Sequence, residues 1–387
     1  MPPRPLKIAI CPNAFKGTLT ASQAADCIER GFRRALPTAT FLKIPFADGG
    51  DGTAQAIADA TGGRLVSARV LDPIGRPIRA RFALTGDQRT AIIEMALASG
   101  LALLAPDELN ALLATSFGTG QLIRAALGRG ARNIVIGIGG SATTDGATGI
   151  ARALGIRFLD AKGRDLPEGG GSLIHLAHID TANLDPRIAH TAIRVACDVN
   201  NPLYGPRGAA HVYAPQKGAS PAQVKILDQS LRRLAHIIKR DLGKSIATLP
   251  GAGAAGGAGA GLVAFLSATL QPGAQLVAQT IHLQERLKGC DLIITGEGRL
   301  DAQTAHGKAP AAIAQFAKKL RIPALALCGS ISQDAARPNF LGFHAIFPAL
   351  FDQIDMRDLP KIAAASLERS AYHAARLIAL NLPRRPR

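Results

Sequence analysis

Tryptophan is absent from this chain and aromatic residues make up only 4% of it. The basic residues are scattered, and no helix-turn-helix or RNA-recognition signature appears, so the composition argues against nucleic acid as a partner. Cysteine is sparse. Cys11, Cys27, Cys197, Cys290 and Cys328 lie far apart with no C-x-x-C pair, which excludes a zinc cage and a disulfide framework and predicts reduced, buried thiols. No apolar run reaches the ~18 to 20 residues of a membrane span, and Met1 to Phe15 lacks the apolar core and cleavage site of a secretory signal. A cytoplasmic protein without membrane contact is expected. A Walker A loop is missing as well: the only Gly-Lys-Ser is Gly243-Lys244-Ser245, and Ile238 stands where that loop needs its first glycine.

What is present points to a large folded core. With 387 residues, 47% hydrophobic and 19% charged, the chain has the material for two domains. A net charge of +17 suits an anionic small molecule, whose local concentration a positive potential raises. The end of the chain, Leu382-Pro-Arg-Arg-Pro-Arg387, reads as a solvated tail.

Strands and helices alternate along the chain, which predicts an α/β architecture with parallel sheets. Leu6 to Cys11 reads as a strand leading into Pro12-Asn-Ala-Phe-Lys-Gly17, with a helix from Thr20, its N-cap, to Leu36. Phe41 to Phe46 runs into Ala47-Asp-Gly-Gly-Asp-Gly-Thr53 and another helix. Both loops follow the carboxyl ends of strands, where open α/β sheets bind ligands. Between Leu65 and Met95 short strands and turns, such as Asp72-Pro-Ile-Gly75, predict antiparallel hairpins. The parallel style resumes at Asp291 to Thr295, Pro323 to Cys328 and Ala345 to Phe347. The expected organisation is one α/β domain from residues 1–65 and 290–387, interrupted by an inserted domain of residues 66–289, with ligand in the cleft between them.

Several segments read as structural. Ser220-Pro221 opens a helix with Val224, Leu227, Leu231, Leu234 and Ile238 at helical spacing, and Leu359 to Leu380 reads as an amphipathic terminal helix carrying His373 as a packing or surface residue. The run Pro250-Gly-Ala-Gly-Ala-Ala-Gly-Gly-Ala-Gly-Ala-Gly261, followed by an apolar helix from Leu262 to Leu270, leaves two readings open: close backbone approach to an anion, or helix packing.

Asn133-Ile-Val-Ile-Gly-Ile-Gly-Gly-Ser-Ala-Thr-Thr-Asp-Gly146 joins an apolar strand to a glycine loop just where a helix begins. A helix start offers unpaired N–H groups, and Gly137, Gly139 and Gly140 let a phosphate approach without Cβ interference. Gly137 to Ala142 also fits G-x-G-x-x-G/A, with Asp160 about 20 residues on as a ribose-binding acid. That is the alternative reading, an NAD(P)-dependent oxidoreductase. Asp145, however, would place an anion beside an anion unless a cation lies between them, which favours phosphate with metal. Asp48, Asp51, Asp145, Asp198, Glu297 and Asp301 all lie in loops rich in Gly, Asn or Thr, and such loops suit magnesium held with nucleotide phosphates. Lys16, Lys217 and Lys308 lie in comparable loops and would neutralise phosphate or hold a carboxylate. A non-enzymatic anion or nucleic-acid binder is the third class in play.

The Ala47–Thr53 and Gly137–Gly146 segments, Ala196-Cys-Asp-Val-Asn-Asn-Pro202, Ala214-Pro-Gln-Lys-Gly-Ala219, Pro250–Gly261, and Thr295-Gly-Glu-Gly-Arg-Leu-Asp301 with His306-Gly-Lys308 resemble, in order, the motifs of type I glycerate kinases. The resemblance implies ATP-dependent phosphorylation of D-glycerate, for most bacterial members at the 2-hydroxyl. It also implies a flavodoxin-like domain built from both chain ends and an inserted α/β domain resembling a restriction-enzyme fold. On chemistry and resemblance together, Asp198, Asp48 and Lys16 are expected to be catalytic, with Asp198 first as base. Gly139, Gly140, Ser141, Thr143, Lys217, Gly253, Gly256, Glu297 and Lys308 are expected at the nucleotide. Asp51, Arg299 and Asp301 are expected at the substrate, and Asp145 and Asp198 at Mg2+. The expected partners are glycerate and ATP, and homo-oligomerisation is left open. Two departures from the family pattern stand out: Asn13-Ala14 replaces Asp-Ser, and Thr144 and Ala147 stand where many members have Asn and Gly. No charged role is therefore expected of Asn13, and no amide's role of Thr144.

Overall fold

The segment Lys7–Pro12, apolar from Ile8 onward, forms a strand buried along nearly its whole length, because a strand covered on both faces must be apolar at successive positions rather than alternating. It is an inner strand, one in from the edge, of a five-stranded, wholly parallel sheet whose middle strand is Leu292–Gly296. Thr40–Lys43 and Leu292–Gly296 flank it, and Ala324–Cys328 and Ala345–Pro348 follow on the Leu292 side. Counted along the chain, the strand order is second, first, third, fourth, fifth. The computed structural model describes residues 4–337, 339–350, 355 and 357–380; the basic tail Leu382–Arg387 and the side chain of His306 lie outside the described residues.

This sheet belongs to the first of two units, which comprises residues 1–48, 59–61 and 277–387. Its core gathers Ile8, Ile10, Ile28, Phe32, Ile294 and Leu327. The helix Ala21–Ala35 starts at Thr20 with a capping box to Gln23, as its sequence predicts. It packs on the terminal helix Leu359–Leu380 so closely that a Cβ at Gly31 would stand 2.4 Å from the Glu368 carbonyl oxygen. Arg30 Nε donates to Glu368 Oε2 across the same contact at 2.8 Å.

The second unit, residues 49–58 and 62–276, holds a six-stranded mixed sheet. Arg64–Leu71 and Pro77–Leu84 form the antiparallel hairpin the turn residues predict, and Thr90–Glu94 continues antiparallel to it. From Thr90–Glu94 outward the pairing is parallel through Asn133–Gly137, Ala192–Ala196 and Thr269–Gln271. Ser220 caps the helix Pro221–Leu242 with a capping box to Gln223. The glycine-alanine run leads into the helix Ala254–Leu266, which is interrupted by left-handed backbone at Ala255, Gly256 and Gly257. The helix expected to reach Leu270 stops at Leu266, and Thr269–Gln271 is the edge strand of the sheet. The chain is thus mixed α/β with parallel sheets. The five cysteines are free; four are buried and Cys197 is half-buried.

Candidate functional site

In the second unit the carboxyl ends of three parallel strands carry a common set of loops. The glycine loop leaves Asn133–Gly137, Asp198 follows Ala192–Ala196, and Glu94 ends Thr90–Glu94. The segment from Gly49 lies across them. A Cβ at Gly137 would stand 2.5 Å from the Gly49 carbonyl oxygen, and one at Gly49 would stand 2.5 Å from the Ala196 Cβ. Glycine is needed at both crossings: at Gly137 the two backbones touch, and at Gly49 the Ala196 methyl leaves no room for a side chain.

Within the glycine loop Gly139 and Gly140 are exposed. The N–H groups of Gly139, Gly140 and Ser141 donate to no acceptor among the described residues. Gly140 is left-handed at φ 68°, and nothing lies within 4 Å of a Cβ placed on Gly139. Consecutive N–H groups in such a turn form an anion-binding concavity. The expected donors at the helix start are not available. The helix is short, Thr148–Ala153, and Asp145 and Ser116 already satisfy its first turn. Asp145 accepts from Ala147 N and Gly149 N at 3.2 Å and from Ser116 N and Oγ at 2.8 and 2.7 Å, while Ser116 Oγ accepts from Ile150 N. This corrects the metal role expected of Asp145, whose fully buried carboxylate is saturated by protein donors.

Three other expectations change for related reasons. Lys217 lies beneath the loop rather than facing a ligand: it is 2% exposed, and its ammonium donates to Thr143 O at 2.6 Å and Ser141 Oγ at 3.1 Å. Burial pulls its pKa down to about 7, with Asp145 acting the other way. Gly253 and Gly256 are buried, and their close approach is to protein. A Cβ on Gly253 would meet Pro202 O at 2.3 Å and one on Gly256 would meet Thr143 O at 2.0 Å, and Gly256 O accepts from Gly146 N. The glycine-alanine run is therefore a backing for the loop, not a second anion cradle. Thr143 is fully buried and its hydroxyl has no partner among the described residues.

Asp51 is exposed, its Oδ1 3.8 Å from where a Gly140 Cβ would stand. Asp198 is also exposed and accepts from Gly273 N at 2.9 Å. Sequence reasoning missed Glu94. It is 5% exposed and accepts from Gly52 N at 3.0 Å and Ala54 N at 2.7 Å, so it supplies the cap that Gly52 cannot give the helix Thr53–Thr61. Burial raises its pKa, the two N–H groups lower it, and Asp51 raises it. The readable signal was an acid closing the apolar run Thr90-Ala-Ile-Ile-Glu94.

In the first unit, loops meet at the carboxyl ends of Lys7–Pro12 and Leu292–Gly296, the point where strand order reverses and open α/β sheets bind ligands. Asn13 N donates to Gly296 O, and Asn13 Nδ2 lies 3.4 Å from Asp48 Oδ2. Glu297 is 7% exposed and accepts from Thr304 Oγ1 at 2.6 Å. Burial pushes its pKa up to about 7 against the opposing Thr304 bond and Lys308, and the charges of Asp48 and Asp301 add to the rise. Asp301 spends Oδ1 on Gln303 N and Thr304 N as a cap and Lys308 reaches Gln303 Oε1 at 3.4 Å. Lys16 and Arg299 are exposed.

The dinucleotide alternative loses its acid. The strand Arg157–Leu159 before Asp160 pairs antiparallel with His178–Asp180 in a separate ribbon, instead of lying beside Asn133–Gly137. Asp160 itself holds Lys162 N and Arg164 N and is bridged to the Arg164 guanidinium.

The glycerate kinase family model matches residues 8–379. The chain is 45% identical to a glycerate kinase of Bacillus subtilis (strain 168), covering 97% of this chain and 98% of that one. It is 47% identical to glycerate 2-kinase of Escherichia coli (strain K12), over 89% and 91%. A crystal structure of a provisionally named glycerate kinase 2 from Salmonella typhimurium LT2 superposes with a TM-score of 0.91 at 44% identity, covering 97% of this chain and 99% of that one. With a match along almost its whole length, the chain belongs to the glycerate kinase family.

Proposed function

We propose that this protein transfers the γ-phosphoryl group of ATP to the 2-hydroxyl of D-glycerate, giving 2-phosphoglycerate, as a cytoplasmic enzyme. The observation that carries this reading is the family match over residues 8–379; a glycine loop alone is too widespread to name a substrate. The free N–H groups of Gly139, Gly140 and Ser141 support a phosphate at that loop. The second, first, third, fourth, fifth strand order supports a flavodoxin-like domain from both chain ends. We read the inserted unit as the restriction-enzyme-like domain.

Phosphoryl transfer needs positioning and charge stabilisation more than covalent chemistry from the protein. In our reading Asp198 takes the proton from the attacking hydroxyl. Its exposure leaves it open to a substrate, and its bond from Gly273 N orients it at a strand end. Asp48 and Asp51 are the competing bases, and Lys16 and Arg299 hold the carboxylate of glycerate or phosphate oxygens. Magnesium fits the donor set: Asp198 and Asp51 are exposed carboxylates, and this ion takes one or two such ligands together with substrate phosphates. No cluster of three or more His, Cys, Asp or Glu that could hold a metal is present among the described residues. When bound, magnesium would neutralise charge on the transferred group.

The test is ADP formation that depends on both glycerate and magnesium, with phosphorus NMR of the product. A phosphorus coupled to the C2 proton supports the reading; coupling to the C3 protons moves the acceptor to the 3-hydroxyl. No ADP, but a change in NAD(P)H absorbance with hydroxy acids, would overturn it.

A further inference from the structure

Lys217 is the one buried Lys or Arg among the described residues, and the mechanism leaves it unused. Its ammonium can only donate, and two of its protons go to Ser141 Oγ and Thr143 O. No carboxylate lies within ion-pair distance of it among the described residues. Asp145, the charged group that acts on it, has already committed its oxygens to Ser116, Ala147 and Gly149. A buried cation without a direct counter-ion is costly, so an anion arriving at the loop would supply what the fold withholds.

Ser141 links the two. Its Oγ accepts from Lys217 and makes no other hydrogen bond among the described residues. A hydroxyl whose oxygen accepts from an ammonium must give its own proton elsewhere. The same residue contributes one of the unpaired N–H groups that follow Gly139 and Gly140.

We propose that Lys217 is a positioning residue that acts through Ser141: it holds the Ser141 oxygen as acceptor, committing the hydroxyl proton to a phosphate on the Gly139–Ser141 amides. Lys217 does not touch the ligand. It shapes the loop from beneath and lends it positive charge through one polarised hydroxyl. That the phosphate belongs to a nucleotide rests on the kinase reading above; the donor arrangement itself does not.

The test uses the full chain as wild type, Lys217→Met, Ser141→Ala and the double variant, with inorganic tripolyphosphate binding followed by calorimetry. Losing one charge-assisted donor corresponds to about 10- to 100-fold in affinity. Each single variant should weaken tripolyphosphate by that factor, and the double variant no more than Lys217→Met alone, because both changes break one relay. In steady-state assays KM for ATP should rise while KM for glycerate stays within about twofold, and the melting temperature of Lys217→Met should hold or rise as a buried charge is removed. Wild-type affinity in Lys217→Met, multiplying losses in the double variant, or equal rises in both KM values would overturn the proposal. Should Lys217→Met fail to fold, Ser141→Ala decides: tripolyphosphate binding equal to wild type overturns it and a tenfold loss sustains it. Wild-type protein that binds tripolyphosphate yet forms no glycerate-dependent ADP would refute the kinase reading and leave the relay standing.

Discussion

Two aspartates of the same sequence character have opposite surroundings, and burial separates them. Asp145 is fully buried and accepts from four protein donors, while Asp198 is exposed with Gly273 N on one oxygen. Asp198→Asn should therefore fold normally and cut turnover by about 100-fold or more, the scale of lost general-base catalysis, with ATP and glycerate affinity little changed. Steady-state kinetics checks this, and near-normal turnover would remove Asp198 as the base. Asp145→Ala should instead cost about 3 to 5 kcal/mol of stability, since Ser116, Ala147 and Gly149 would lose a shared buried acceptor. Urea titration reads that loss, and a variant as stable as wild type would show that the carboxylate is not the cap we describe.

Glycines that look alike in the sequence do different work within their elements. Gly139 has open space around a Cβ, whereas Gly256 is left-handed and presses on Thr143 O. Gly139→Ala should keep its melting temperature while raising KM for ATP several-fold, because the added methyl stands where a phosphate must approach the backbone. Gly256→Ala should be destabilised by about 1 to 3 kcal/mol through strain and overpacking. Thermal melts paired with kinetics distinguish the two; the reverse pattern would exchange the roles of cradle and backing. The caps at Thr20 and Ser220 were legible because each depends on residues three apart in the sequence. The cap from Glu94 onto Gly52 and Ala54 was not, because it joins residues about forty positions apart and no local pattern encodes such a pair.

For the whole molecule, two shifted groups set opposite trends of stability with pH. The pKa of Glu297 is raised from 4.5 to about 7, so its contribution is full below about 4.5 and is lost as pH rises through about 7. Lys217 is lowered from 10.5 to about 7, so its contribution is present above about 10.5 and is lost as pH falls through about 7. The stability gained by Glu297→Gln over wild type should thus grow between about pH 4.5 and 7, and the gain from Lys217→Met should shrink between about pH 7 and 10. Denaturant titrations across that range check both, and flat differences would show that neither group is as desolvated as its place in the fold implies. The net charge of +17 adds a general attraction for anions that salt should weaken.

The sequence by itself determined the alternation of elements, the helix caps at Thr20 and Ser220, the hairpin between Arg64 and Leu84, and the absence of a Walker loop and of clustered cysteines, because each follows from periodicity or from residues close together in the chain. It also located the loops where the chemistry gathers, since glycine and acidic residues after an apolar strand mark a strand's carboxyl end. Only the tertiary structure decided which of those residues face outward. Whether an aspartate is a ligand or a cap, a lysine a contact or a support, and a glycine a cradle or a packing joint depends on burial and on partners from distant segments. Ser116 beside Asp145, Ser141 above Lys217 and Thr143 against Gly256 come together only when the chain has folded.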